Sequence, residues 1–302
     1  MSAIKKFFRN RDNIGLVYIL PWFIGFVAFA LYPIMSSLYY SFTDYRLFRD
    51  ANWIGLGNFR RLFNDSLFYH SLRITFIYVL IAVPLRLVFS LVIAMILNTK
   101  VRFINFYRTI YYLPSIFGGS VAIGVLWRFV FMREGLLNSF LALFGIGAQN
   151  WLGNPSTALY VMSLLPMWQF GSSMLLFLAS LKQIPESLFE AATIDGAGRV
   201  KKFIHITLPM ITPIILFNVV MQTINGFQEF SGIFIVTGGT GGPARATYVY
   251  SILLYDQAFV NLNMGYASAL SWVLFAIIIT LSLVIFKTSK RWVYYEDGGD
   301  SK

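Results

Sequence analysis

Six long apolar stretches constrain this chain more than any other feature of its sequence. A helix that crosses the roughly 30 Å hydrocarbon core of a bilayer needs about 20 apolar residues. No water is present at that depth to pair with the backbone, so each stretch must be a helix and the fold an all-α integral membrane protein with about six transmembrane helices. The predicted spans are residues 14–42, 72–97, 110–131, 158–181, 208–236 and 264–286.

The composition agrees with a membrane protein and excludes several classes of chemistry. Charged residues make up 12% of the chain, about half the share found in a soluble domain. The chain has no cysteine, which excludes disulfides and thiolate sites, and His70 and His205 form no ligand-spaced pair, so we predict no metal site. The net charge of +11 indicates basic cytoplasmic loops rather than nucleic-acid binding, because no basic stretch is interleaved with aromatic residues.

The distribution of lysine and arginine predicts the orientation of the chain in the cytoplasmic membrane. With the N-terminus inside, the inner segments carry fifteen basic residues and the outer segments carry six. Basic residues concentrate on the cytoplasmic side of membrane proteins. We therefore predict a single multi-pass domain, residues 1–302, with both termini and the loop 182–207 in the cytoplasm and its apolar faces against membrane lipid.

The loop 182–207 is predicted to form two short helices joined by a turn. Glu186 follows a proline and complements the positive end of the first helix, and Gly196 suits the left-handed position that ends it. The second helix has a predicted face at helical spacing, made of Val200, Phe203, Ile204 and Thr207. An amphipathic helix pair of this kind suits a groove in a partner protein, although it is also compatible with an ordinary helix pair at the membrane surface.

The same loop carries a family resemblance. The residues that match the "EAA" loop of ABC importer permeases are Glu190, Ala191, Ala192, Asp195, Gly196, Ala197, Phe203, Ile206, Leu208 and Pro209. The flanking residues 168–171, 181–185 and 238–243 resemble the maltose-type, carbohydrate-uptake branch of that family. The similarity extends from the first span to Phe286, without the large extracytoplasmic insertion that some members carry.

The resemblance implies a type I ABC importer permease fold and a set of partners. These are a second homologous permease subunit, two cytoplasmic ATPase subunits that bind ATP and Mg, and an extracytoplasmic solute-binding protein. The chain lacks a G-x-x-x-x-G-K-[ST] sequence, so we predict that it is no enzyme and binds no cofactor. By resemblance, the residues that couple it to the ATPase are Glu186, Glu190, Ala191, Ala192, Asp195, Gly196, Ala197 and Phe203.

A polar stripe in the fifth predicted span marks a candidate pathway for solute. Asn218, Gln222, Asn225 and Glu229 lie at i, i+4, i+7 and i+11, on one face of a helix. Polar groups are costly toward lipid, so this face turns inward, either to line a pore or to form hydrogen bonds between helices. Arg86, in the middle of the second span, is the most costly group by position; it pairs with a carboxylate, lines the pathway or lies against the partner permease.

The resemblance implies import of a sugar, specifically an oligosaccharide, by ATP-driven alternating access. The same architecture also serves other solutes, such as glycerol phosphate. A secondary transporter is a further alternative, but it needs mid-membrane carboxylates, and Glu229 is the only carboxylate within the predicted spans.

The orientation can be tested with single cysteines, because the chain has none. A membrane-impermeant maleimide added outside whole cells should leave Arg199→Cys unlabelled until the membrane is permeabilised. Arg49→Cys, in a predicted outer loop, should react at once and serves as the control. Labelling of Arg199→Cys in intact cells would show that the predicted orientation is inverted.

Overall fold

The computed structural model describes residues 11–99, 102–118 and 120–294, and its regular elements within those ranges are helices. The longer ones are Arg11–Phe26, Tyr32–Ser41, Gly57–Phe63, Ser66–Leu97, Ile104–Ile116, Val121–Phe131, Leu136–Ala142, Pro155–Trp168, Gly171–Leu181, Glu186–Ile194, Thr212–Phe227, Ser231–Thr237, Tyr250–Tyr255 and Met264–Ser289. Shorter helical turns are Val27–Leu31, Arg199–Lys202, Phe203–Thr207, Leu208–Met210, Pro243–Arg245 and Asp256–Val260. The all-α prediction is confirmed.

Three helices are individually long and apolar enough to cross a membrane: Tyr18–Ser41, Ser66–Leu97 and Met264–Ser289. Bent helix pairs supply up to three more spans. These pairs are Ile104–Ile116 with Val121–Ala142, Pro155–Trp168 with Gly171–Leu181, and Arg199–Met210 with Thr212–Phe227. The prediction of about six spans therefore agrees with the helices, but three of the predicted stretches are broken rather than straight.

The described residues group into two compact units. One contains the described residues within Met1–Asp65 together with Leu254–Val273; the other contains Ser66–Leu253 with the described residues within Leu274–Lys302. The prediction of a single membrane domain stays a prediction.

In the first unit, side chains close the turn that follows the first span. The amide of Asn58 donates to the carbonyls of Ser41 and Thr43, at 2.9 and 2.7 Å, where the helix Tyr32–Ser41 ends. The indole of Trp272 donates to the hydroxyl of Ser37 at 3.2 Å. These bonds satisfy polar groups that a helix end would otherwise leave without partners.

In the second unit, the long helix Ser66–Leu97 packs against three others: Pro155–Trp168, Gly171–Leu181 and Thr212–Phe227. This arrangement places the second, fourth and fifth predicted spans around one core. Tyr78 on the long helix and Phe177 and Phe227 on two of its neighbours are among the largest fully buried side chains.

Hydroxyl groups stabilise the break in the fourth span, where Pro155–Trp168 meets Gly171–Leu181 at an angle of 47°. Ser115 donates to the carbonyl of Gln169 at 3.0 Å, and Ser90 donates to the carbonyl of Phe170 at 3.2 Å. Because a bend frees carbonyls that lipid cannot satisfy, these serines make the bend tolerable inside the membrane.

Gly171 allows the bent helix to approach its neighbour. A Cβ at this position would lie 2.7 Å from the Ser115 hydroxyl and 2.9 Å from the Tyr112 Cα. We predict that Gly171→Ala lowers the free energy of unfolding by about 1–3 kcal/mol through overpacking, although alanine normally stabilises a helix. Thermal unfolding in detergent measures the effect. Gly147→Ala is the matched control, because a Cβ there meets nothing within 4 Å; equal stability of the two variants would contradict the packing argument.

Candidate functional site

Polar side chains from three spans meet around two small cavities in the second unit. One cavity, of about 30 Å³, is lined by Tyr78, Arg86, Gln222, Asn225 and Glu229 among others. The other, of about 50 Å³, shares Arg86 and Glu229 and adds Gln169. Each has room for one or a few water molecules but not for a sugar ring. Neither cavity therefore accommodates a sugar in this conformation.

Arg86 lies at the centre of this group. One terminal nitrogen, Nη2, donates to the Ser172 hydroxyl at 3.0 Å, whereas its Nε is buried without a hydrogen-bond partner. The side chain lines both cavities, as does Glu229, so its assignment to the pathway stays a prediction. A cation at membrane depth is costly and therefore indicates a functional position.

The polar stripe is not one continuous helix face as predicted. The helix Thr212–Phe227 ends before Glu229, whose Oε1 accepts a hydrogen bond from the Gly232 amide at 3.0 Å. The carbonyl of Glu229 also accepts a hydrogen bond from the Ser251 hydroxyl. Glu229 thus caps the next helix, Ser231–Thr237, and still reaches the same cavity because the chain turns at this point. The prediction of one helix face that includes Glu229 was wrong, because the spacing of polar residues does not show where a helix ends.

Two amides of the stripe make hydrogen bonds within the chain. Asn218 is only 1% exposed, and its amide donates to the carbonyl of Ile214 at 3.0 Å while its Oδ1 is buried without a partner. Gln222 donates to the Ser173 hydroxyl at 3.2 Å but also lines a cavity, as does the exposed Asn225. The pathway assignment stays a prediction, and the structure favours Gln222 and Asn225 over Asn218.

The predicted coupling loop forms a helix, a tight turn and a second helix. The first helix is Glu186–Ile194, and Gly196 follows it with a φ of +74°. The turn is closed by bonds from the Gly196 amide to the carbonyl of Thr193 at 3.1 Å and from the Ala197 amide to the carbonyl of Ala192 at 2.8 Å. These bonds satisfy the last carbonyls of the helix, and the left-handed position explains why glycine stands there.

A side-chain contact that the sequence did not predict links the two helices of the loop. The ammonium group of Lys202 donates to the Thr193 hydroxyl at 2.7 Å. The two residues are nine positions apart, across the turn at Gly196. No periodic pattern identifies such a pair, because their proximity depends on the turn geometry.

The loop presents both charged and apolar groups to its surroundings. Glu186, Glu190, Ala191, Asp195 and Gly196 are exposed, whereas the partly buried positions are Ala192, Ala197 and Phe203. Ile194 is 87% exposed and Val200 is 72% exposed. Charged and apolar groups together suit a contact surface for another protein, and the coupling assignment of this loop stays a prediction.

The predicted face of the second helix is only partly correct. A π-helical turn, Phe203–Thr207, follows Arg199–Lys202, so the residue spacing differs from that of an α-helix. Thr207 is buried, whereas Val200 and Ile204 are exposed. The four residues therefore do not share one environment, because the wider turn rotates the later positions away from the face.

The chain combines membrane-length helices, polar cavities among them and an exposed helix pair. This is the architecture of a transporter's membrane component. Residues 75–293 match the family model described as the binding-protein-dependent transport system inner membrane component. The chain belongs to this family. As a permease subunit it is the membrane component, and the predicted importer permease without its own ATPase activity is confirmed.

Two known relatives are similar in sequence to nearly the whole chain. A protein of Bacillus subtilis (strain 168) described as probable ABC transporter permease protein YesP is 50% identical over 290 residues, which are 95% of this chain and 94% of that protein. The arabinooligosaccharides transport system permease protein AraP of the same organism is 32% identical, covering 95% of this chain and 92% of AraP.

A solved structure confirms the predicted fold. One chain of a bacterial ABC transporter involved in the import of the acidic polysaccharide alginate superposes with a TM-score of 0.79, covering 93% of this chain and 96% of that chain. The two sequences are 22% identical, so the likeness concerns the fold, which is that of a type I ABC importer permease.

The two kinds of amide in the stripe should respond differently to substitution. Asn225→Leu removes a cavity-lining partner for solute, and if that contact contributes about 1–1.5 kcal/mol, uptake per assembled complex should fall roughly five- to tenfold. Asn218→Leu, at a buried position of the same helix, should change assembly more than normalised uptake. Uptake in proteoliposomes, divided by the amount of assembled complex, measures both. Normal normalised uptake by Asn225→Leu would remove this residue from the pathway.

Proposed function

We propose that this chain is one of two permease subunits that import an oligosaccharide by alternating access, driven by two cytoplasmic ATPase subunits. The observation that carries the proposal is the exposed helix pair around Gly196. It presents charged and apolar groups on one surface, as expected of a contact site for another protein. ATP and Mg bind to the ATPase subunits, and an extracytoplasmic binding protein delivers the solute. Both termini and the helix pair face the cytoplasm.

The chemistry of the closed cavities supports a sugar as the solute. Gln222 and Asn225 offer amide donors and acceptors, and Glu229 and Arg86 offer charged hydrogen-bonding groups. A hydroxyl-rich solute needs several such partners when it leaves water, because each unpaired polar group is costly in a dry site. The relative AraP, named for arabinooligosaccharides, agrees with this solute class.

The surface of the first span supports pairing with a second permease. No residue in the most apolar 18-residue window of Tyr18–Ser41 is buried within the chain. Tyr18, Trp22 and Phe29 are strongly exposed. Helices of this kind lie against lipid or against another membrane subunit. In a pair of permeases, the second permease would be that subunit.

The mechanism follows from the small size of the cavities. A sugar ring can occupy them only when the helices around them separate. Closure of the ATPase dimer on ATP supplies that motion when the helix Glu186–Ile194 moves with it. The protein then performs conformational work, and the chemistry of hydrolysis takes place in the partner subunits.

The docking role predicts two matched effects in the reconstituted complex. Glu190→Lys reverses an exposed charge in the loop, and losing a docked charge pair costs about 2–5 kcal/mol, so solute-stimulated ATPase activity should fall at least about tenfold. Gly196→Ala should also reduce coupling, because an alanine in the left-handed region costs roughly 1–2 kcal/mol.

Gly198→Ala is the control for the turn. Its φ is −70°, and a Cβ there meets nothing within 4 Å, so this substitution should leave coupling intact. Wild-type ATPase stimulation in both Glu190→Lys and Gly196→Ala would refute the docking role. Membrane insertion, followed by the amount of chain in the membrane fraction, should be the same in all three variants.

A further inference from the structure

A third cavity lies at the end of the bundle remote from the coupling loop. Its volume is about 380 Å³, within the range of small-molecule sites. It is bounded by Ala158 and Met162 in the first turns of Pro155–Trp168, and that span runs from here toward the loop after Leu181. Its polar lining residues are Arg128, Arg133, Asn150, Thr237, Thr240 and Thr247.

The lining of this cavity is suited to an anion. Two arginines, Arg128 and Arg133, line it, and none of the described residues that line it is acidic. Thr247 is fully buried, and its hydroxyl has no hydrogen-bond partner in the structure. That oxygen is shielded from the cavity, so Thr247 forms part of the wall, and the two arginines carry the preference for an anion.

The third cavity continues the path to the two smaller ones. Gly124 and Gly232 line the 50 Å³ cavity, and Arg128 and Val236, each four residues further along the same helices, line the larger one. On a third helix Leu165 lines the smaller cavity and Met162 the larger. The two cavities are therefore about one helical turn apart, or about 5.4 Å, along three shared helices.

Positive charge is repeated along this path. Arg128 and Arg133 line its outer part, and Arg86 lines both inner cavities, where the carboxylate of Glu229 accompanies it. Like charges in one cavity repel one another, and an anionic group that enters it reduces that repulsion. Two arginines with no acidic residue in the lining favour an anionic sugar over a neutral one, because a carboxylate forms the stronger, charge-assisted hydrogen bonds with them.

We propose that the cavity lined by Arg128, Arg133 and Thr247 binds a sugar unit that carries a carboxylate, so that the imported oligosaccharide is acidic. This inference rests on the proposed function, because it names the class of sugar that uses the same path. The guanidinium groups form charge-assisted hydrogen bonds with the carboxylate. Asn150 and Thr240 line the same cavity and supply partners for ring hydroxyls.

Site-directed labelling tests this proposal without relying on transport. In the full complex in proteoliposomes, Thr240→Cys places a single thiol of this chain in the cavity wall. A membrane-impermeant maleimide should label it more slowly in the presence of trigalacturonate. The same trisaccharide with its carboxylates reduced to hydroxymethyl groups should not protect at equal concentration.

Second substitutions identify the groups responsible. In the Thr240→Cys background, Arg128→Gln or Arg133→Gln should raise the trigalacturonate concentration needed for protection about tenfold, as expected for one lost charge-assisted hydrogen bond. Arg49→Gln, an exposed arginine outside this cavity, should leave protection unchanged. Equal labelling rates without sugar show that each variant keeps the fold of the cavity.

Two outcomes would overturn the proposal. Equal protection by the acidic and the reduced trisaccharide would show a site for neutral sugar and would leave the proposed import function intact. Protection by the sugar-free binding protein alone would show that the cavity receives an acidic side chain of that protein. Failure of the proposed function is separate, since it would appear as absence of uptake of any oligosaccharide while protection by trigalacturonate persists.

Discussion

The structure depends on one constraint, which is that backbone polar groups inside a membrane must find partners within the protein. Straight helices meet it internally, but three spans of this chain are bent. At the bend in the fourth span, Ser90 and Ser115 donate to the freed carbonyls. At the bend in the fifth, of 65°, Thr212 donates to the carbonyl of Pro209 and accepts a bond from the amide of Tyr294. Both of these bends are therefore stabilised by short polar side chains on or beside the broken helix.

The bends also create the site. A straight fifth span would leave Glu229 on the helix, whereas the break after Phe227 lets it cap the next helix and face Arg86 across the cavities. Two helices beside those cavities, Val121–Phe131 and Ser231–Thr237, pack closely because Gly124 lies where they touch. A Cβ on Gly124 would lie 2.7 Å from the side chain of Ile235. Close packing of this kind keeps the path narrow until the helices move apart.

The proposed docking surface and the proposed solute pathway lie at different places in the same unit. The polar cavities lie among packed helices, whereas the helix Glu186–Ile194 projects exposed groups beyond them. The bonds across the turn, including that from Lys202 to Thr193, make the helix pair a stiff element. A force applied to a stiff pair is passed to the span that follows it, which carries Gln222 and Asn225.

The sequence by itself determined the all-α class, the approximate number of spans and the turn at Gly196. Apolar length sets a span because lipid excludes unpaired backbone, and only glycine takes the left-handed position without cost. The tertiary structure alone decided where three spans break; at the bend in the fourth span, the hydroxyls that satisfy the freed carbonyls come from other helices. It also decided that Asn218 is buried while Asn225, two turns away on the same predicted face, lines a cavity. Residues at equal helical spacing share a direction, but what lies in that direction depends on the neighbouring helices.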